Sequence, residues 1–156
     1  MKRLILLMLV ALAVASAQPN CSLQTLRGTY AVSYWGIIQV MQPGAAPAAV
    51  SGGIVGAISI GYDGTVSGAA AVSGMGPVTD YEVGGTAQVN PDCTGKLSLK
   101  VRPKGTQQWG TETDRFVFDP DTKTLLVIIV DLGPGVIPAV QGTWKQISSV
   151  PNTVSW

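Results

Sequence analysis

Turn residues divide this chain into short segments in which apolar and polar side chains alternate, the period expected of half-buried strands. Alternation is clearest in the segment KLSLKVR, and an Asp-Gly pair at 63–64 marks a hairpin tip. Nineteen glycines and ten prolines argue against helices. The predicted strands are 28–36, 52–61, 65–72, 80–89, 96–102, 109–118, 123–130 and 140–147.

Strands joined by short turns, with no crossover helix between them, must pair antiparallel. We therefore predict an all-β fold, an antiparallel up-and-down barrel of about eight strands, because closing the sheet removes its exposed edges. A β-sandwich built from the same strands is the alternative.

The first seventeen residues have the pattern of an export signal. Lys2 and Arg3 precede an apolar run over 4–14 that is too short to span a bilayer, and Ala-Ser-Ala then supplies a cleavage site. We predict a signal peptide at 1–17 and a single secreted or periplasmic β-barrel domain at 18–156. No later apolar run is long enough for a membrane helix, so this domain is not expected to span a membrane.

Composition argues against several functional classes. Without the signal the chain has eight basic and nine acidic residues, which leaves no basic footprint for nucleic acid. The chain has no histidine, no nucleotide-binding glycine loop and no GxSxG elbow. Two distant thiols are half of a zinc site, so neither a metal nor another cofactor is predicted.

The two cysteines, Cys21 and Cys93, are predicted to form a disulfide, because an exported protein folds where disulfides persist. The bond would tie the start of the mature chain to the turn at 90–93. It would also close a long loop, which in the chain-entropy model stabilises a fold by about 4 kcal/mol.

Two carboxylates are the candidates for chemistry. The parity that turns Phe116 and Phe118 inward on the strand 109–118 also turns Glu112 and Asp114 inward. Inside an apolar barrel mouth, one of them would have a raised pKa and could act as an acid or base, or bind a polar ligand head. Alternatively, a bulge or an ion pair with Arg115 or Lys145 leaves both carboxylates solvated.

Strand parity also names side chains that would line a ligand pocket inside the barrel. Packing of the same side chains into a filled core is the alternative interpretation. The predicted lining residues are Tyr30, Val32, Leu97, Leu99, Phe116 and Trp144.

The strand from Lys123 to Val130 is apolar on both faces, whereas a barrel strand that faces water should alternate. Something is therefore expected to cover its outer face. A second copy of the chain, giving a homo-oligomer, is one cover. The loop from Pro134 to Pro138 or the C-terminal tail is the intramolecular alternative.

Four segments carry a resemblance: GTY at 28–30, YDGTVSG at 62–68, GTAQVNPDCTGKLSL at 85–99 and GTWK at 142–145. Together they resemble a group of small secreted bacterial proteins of unassigned function, similar in architecture to allene oxide cyclase-like and lipocalin-like barrels. The resemblance implies a barrel, and it implies a cofactor-free isomerase or cyclase as one function. The shared segments are turns and strands, and no catalytic residue of that family matches a position in this chain.

The sequence therefore favours a secreted barrel that binds a small apolar or lipid-like ligand, and it favours a binding role over an enzymatic one. A cofactor-free isomerase or cyclase that uses Glu112 or Asp114 is the first alternative. A structural or interaction module with a filled interior is the second.

Overall fold

The computed structural model describes residues 20–41, 44, 46–74 and 76–152. In this part of the chain a short helix, α1 (Leu23–Leu26), precedes eight strands. The strands are β1 (Gly28–Val40), β2 (Ala48–Ile60), β3 (Thr65–Ser73), β4 (Thr79–Val89), β5 (Thr94–Pro103), β6 (Gly110–Asp119), β7 (Thr124–Asp131) and β8 (Val136–Ser148). The predicted signal peptide at 1–17 lies outside the described residues.

Each strand pairs antiparallel with the next one along the chain, and β8 returns to pair with β1. The sheet is thereby closed, which confirms the predicted eight-stranded up-and-down barrel and rules out the sandwich. This is the architecture of lipocalin-like barrels. No helix in the described residues is long and apolar enough to cross a membrane.

Strands β1, β2 and β8 are longer than predicted, each running for 13 residues. Val136, Ile137 and Pro138 belong to β8 and pair with the end of β1, so this segment is not an outer cover for β7 as one alternative proposed. Pro138 is tolerated because β8 pairs with β7 only from Val140 onwards, which leaves this residue with a neighbouring strand on one side alone.

One end of the barrel, here called the helix end, is closed by α1. The disulfide Cys21–Cys93 joins the segment before α1 to the β4–β5 turn, with the two Cα atoms 5.0 Å apart, which confirms the predicted bond. Leu26 is fully buried, and its carbonyl accepts a hydrogen bond from the Tyr30 hydroxyl. The opposite end, where β1 ends and β2 begins, is called the mouth.

Large side chains fill the interior at the helix end. The indole of Trp144 lies 6.3 Å from the ring of Tyr30, centroid to centroid, and both side chains have no accessible surface. Among the described residues no void large enough for a water molecule lies beside them, so this part of the barrel is close-packed. The other fully or almost fully buried apolar side chains are Leu26, Ile60, Val66, Leu97, Phe118, Leu125 and Val127.

The outer face of β7 is exposed. Leu125, Val127 and Ile129 point into the core, whereas Leu126 and Ile128 on the opposite face are 59% and 51% exposed. No described segment covers them, and the tail at 153–156 lies outside the described residues. A homo-oligomer through the strand from Lys123 to Val130 stays a prediction.

Candidate functional site

Two carboxyl groups lie inside the barrel, both carried by β6. Glu112 and Asp114 are opposite Leu99 and Leu97 of β5, whose side chains also face inward. Asp114 has no accessible surface, and Glu112 near the mouth keeps 9%. The pairing of β6 with β7 shifts between Thr113 and Asp114, but the extra residue belongs to β7, so the alternation along β6 is intact.

A hydrogen-bonded chain connects Asp114 to the core. The Trp144 indole Nε1–H donates to the Tyr34 hydroxyl over 2.8 Å, and this hydroxyl donates to Asp114 Oδ2 over 2.7 Å. The Tyr34 ring fits because position 142 on β8 is glycine: a Cβ there would lie 2.5 Å from the ring. Tyr34 therefore holds Oδ2 of Asp114 in place directly, and Trp144 does so through the Tyr34 hydroxyl.

The second oxygen of Asp114, Oδ1, differs from Oδ2 in its hydrogen bonding. Oδ1 is buried and has no hydrogen-bond partner with good geometry among the described residues. Glu112 is the neighbouring group able to supply a proton, and interaction between the two carboxyls raises the pKa of Glu112 and lowers that of Asp114. A buried acceptor without a donor is costly, so a group that can donate to Oδ1 would be favoured there.

Burial dominates the electrostatics of the pair. Desolvation raises the pKa of Asp114 to about 6, although the hydrogen bond from Tyr34 and the neighbouring Glu112 carboxyl act in the opposite direction. Desolvation and the charge of Asp114 raise the pKa of Glu112 well above its usual value. The pair therefore keeps a proton to a higher pH than solvated carboxyls would, and the charge of Asp114 makes Glu112 the member that is more readily protonated. The pKa of Tyr34 is raised as well, mainly by burial, so its hydroxyl stays protonated.

No cation neutralises this pair within the described residues. The alternative interpretation relied on Arg115 or Lys145, but both side chains are exposed on the outer face of the barrel wall. The one salt bridge found in the described chain joins Arg102 to Glu82, at 2.6 Å. Among the described residues, only hydrogen bonding stabilises the charge of Asp114. A ligand that enters from the mouth would be the other source of stabilisation.

Half-buried apolar side chains lie around the carboxyl pair toward the mouth. They pack against the buried core and retain partial exposure. These mouth residues are Ile38, Ile54, Val101 and Leu132. The arrangement offers an apolar rim above one carboxylate and one carboxyl, which can accept a hydrogen bond, donate one, or exchange a proton.

The six predicted lining residues are all buried in the barrel. Tyr30 and Trp144 have no accessible surface and belong to the close-packed helix end, whereas Leu97, equally buried, lies directly opposite Asp114. Val32, Leu99 and Phe116 lie closer to the carboxyl pair and are almost as buried. Contact of these residues with a ligand stays a prediction.

Sequence reasoning missed Tyr34 as a site residue and missed the mouth residues. The parity of β1 places Tyr34 on the same face as Tyr30 and Val32, so its inward direction was readable. Its hydrogen bonds join residues 80 and 110 positions apart, however, and these meet only when the barrel closes.

Among the described residues no group of three His, Cys, Asp or Glu side chains is placed to hold a metal ion. Comparison of the chain with protein-family models, with curated protein sequences and with solved structures finds no match, so the function must be argued from the site itself.

Proposed function

We propose that this chain is a secreted or periplasmic binding barrel that holds a small apolar or lipid-like molecule at its mouth. The polar head of the ligand meets the Glu112–Asp114 pair and carries a hydrogen-bond donor, a hydroxyl or a protonated amine. The observation that carries this proposal is the buried Asp114 Oδ1, which lacks a partner among the described residues. A carboxylate oxygen can only accept, so a donor complements it.

The energetic argument is that the pair weakens the fold. A buried acceptor left unpaired costs about 1–3 kcal/mol, and apolar side chains of similar size at these positions would avoid that cost. Strained or desolvated groups of this kind cluster at functional sites, where a ligand recovers the missing interaction. A donor from a ligand would satisfy Oδ1 and offset the desolvation of Asp114.

The apolar body of the ligand lies in the mouth half of the barrel. The helix end is close-packed, whereas Ile38, Ile54, Val101 and Leu132 retain partial exposure around the carboxyl pair. An apolar rim with a few convergent polar groups is the usual composition of a small-molecule site. The disulfide and the signal pattern at 1–17 support an oxidising compartment outside the cytoplasm.

The proposal is tested by titrating the protein at pH 7 with decylamine and with 1-decanol, using methyl decanoate as the analogue that has no donor. The readout is the NMR signal of the Trp144 Nε1–H, which is one hydroxyl away from Asp114. We expect saturable shifts with both donors. Asp114→Asn should weaken decylamine binding at least tenfold, whereas Asp121→Asn in the exposed β6–β7 turn removes the same charge and should change nothing.

Two outcomes contradict the proposal. One is the absence of any saturable shift with either donor, which favours the structural module with a filled interior. The other is equal binding of methyl decanoate, since the carboxyl pair would then play no part in recognition.

A second candidate function is cofactor-free isomerisation, and it is favoured by the pKa of about 6 of Asp114 beside the raised pKa of Glu112. Near neutral pH one group can remove a proton and the other can return it. The test is incubation with a fatty-acid-derived epoxide, the substrate class that the resemblance implies. Isomer formation that survives unchanged in Glu112→Gln and Asp114→Asn contradicts this candidate.

A further inference from the structure

A concave surface lies on the outside of the barrel wall, mainly across strands β5 to β8 and β1. It is a groove of ≈ 930 Å³ whose lining includes outward side chains of all five strands. One register row crosses it: Lys96 opposes Arg115, Arg115 opposes Ile128, Ile128 opposes Gln141, and Gln141 opposes Trp35. The groove therefore changes in character from one side to the other.

The β5–β6 side of the groove is cationic. Lys96 and Arg115 are directly opposite each other on neighbouring strands, and like charges in this position destabilise a sheet. Both are exposed, and neither makes an ion pair or hydrogen bond with the described part of the chain. The groove lining includes no acidic residue. Two unpaired cations held side by side are suited to bind one anion.

Acidic side chains on the same outer surface have other partners. Asp119, at the end of β6, accepts hydrogen bonds from the backbone of Asp121 and from Thr122. Glu82 on β4 forms the ion pair with Arg102. Because Asp119 and Glu82 are engaged elsewhere, neither supplies a counter-charge to the cationic pair.

The rest of the groove is apolar and exposed. Val117 and Leu126 oppose each other beside the cationic pair, and Ile128 follows in the same band. Trp35 lies at the far side and is 67% exposed. Three strand spacings separate β6 from β1, so the distance around the wall from Arg115 to Trp35 is roughly 14 Å. An extended alkyl chain can span this distance.

We propose that this groove binds a free long-chain carboxylate. The carboxylate lies between Lys96 and Arg115, and the alkyl chain crosses Leu126 and Ile128 toward Trp35. A second copy of the chain fits less well, because a twofold contact of this groove with itself would add two more cations and no acid. The proposal is independent of the mouth site, which lies on the other face of the sheet and takes a donor rather than an anion.

The test is calorimetric titration of the full chain with dodecanoate below its micelle concentration. The variant Lys96→Gln with Arg115→Gln removes both charges from exposed positions. Its matched control is Lys100→Gln with Lys145→Gln, two exposed lysines on the same outer wall and outside the groove lining. We expect one dodecanoate bound per chain, at least tenfold weaker binding in the first variant, and less than a twofold change in the control.

Two further comparisons sharpen the test. Affinity should rise about fourfold for each added methylene until the chain reaches Trp35, the increment expected for burying a CH₂ group. Decylamine binding at the mouth should be unchanged in Lys96→Gln with Arg115→Gln, which separates this site from the mouth. The proposal would be overturned by an equal loss of affinity in both double variants or by equal binding of 1-dodecanol. It would also be overturned by binding only to vesicles of anionic phospholipid, or by sedimentation that shows a second copy in the groove.

Discussion

At the helix end of the barrel, strands β1 and β6 bury Tyr30 and Phe118; toward the mouth, the same two strands bury Tyr34 and Asp114. At both ends these side chains point inward by the same alternation along the strand, and they are buried to a similar degree. At the helix end the buried side chains fill space and the Tyr30 hydroxyl donates to a backbone carbonyl. Toward the mouth, burial places a charge in an apolar interior and leaves one of its oxygens unpaired.

This contrast indicates a division of labour along the barrel axis. The packing and the disulfide at the helix end stabilise the fold, so the mouth can carry groups that destabilise it. A site of this kind is positioned by rigid neighbours, here the aromatic pair Tyr34 and Trp144, which are themselves anchored in the packed half. The following changes would break or sharpen the comparison.

The largest expected effect comes from the disulfide that ties down the helix end. Cys21→Ala with Cys93→Ala should lower the free energy of unfolding by about 4 kcal/mol, because the 72-residue separation makes the loop entropy in the unfolded chain large. Urea denaturation measures this, and reduction of the unaltered protein serves as the control. A loss below about 1 kcal/mol would place the main source of stability elsewhere.

A smaller effect is expected from matched truncations at the two ends. Leu125→Ala, at the helix end opposite Trp144, should cost about 3 kcal/mol because it leaves a cavity that its neighbours cannot fill. Leu132→Ala, near the mouth, should cost about 1 kcal/mol, since that side chain is already half-exposed. Equal losses in urea denaturation would remove the distinction between the two ends.

A further stability effect, smaller than the loss expected in the packed half, concerns the charge of Asp114. Its pKa in the folded state is raised to about 6, so the folded protein binds more protons than the unfolded chain between pH 4 and 6. The contribution of Asp114 to stability is therefore full below pH 4 and is lost as the pH rises through 6, and the raised pKa of Glu112 acts in the same direction. Asp114→Asn should raise the free energy of unfolding by about 2 kcal/mol at pH 8 and leave it unchanged near pH 4.

The control for this prediction is Asp121→Asn, which changes an exposed carboxylate. In urea denaturation this substitution should change the free energy of unfolding by less than about 0.5 kcal/mol, as is usual at an exposed surface position. A loss of stability in Asp114→Asn at pH 8 would mean that the carboxylate is stabilised rather than strained by its surroundings.

Much of the fold was readable from local patterns. Turn residues and alternation located the core of all eight strands, and the parity of Phe116 and Phe118 correctly placed Glu112 and Asp114 in the interior. Local patterns could not give the full length of the strands at the mouth. The residues 136–138 contain a proline and follow a glycine-rich turn, and they form a strand only because β1 lies beside them.

The candidate site required information that no local pattern contains. Tyr34 meets Trp144 through the β1–β8 pairing that closes the barrel, and it meets Asp114 across the interior. The state of the carboxyl pair depends on how completely these neighbours exclude water, which alternation along one strand does not reveal. Outside the barrel, the groove likewise depends on a register that brings Lys96 opposite Arg115.

The central claim, that the mouth half buries a strained carboxyl pair kept for a ligand, is tested most directly by a ¹³C NMR titration of the side-chain carboxyl groups. We expect Asp114 to titrate near 6 and Glu112 well above its usual value, while the exposed Asp63, Asp92 and Asp119 titrate below their usual value because threonines and turn amides hydrogen-bond to them. Titration of both Glu112 and Asp114 near pH 4, as in a solvated peptide, would contradict the claim.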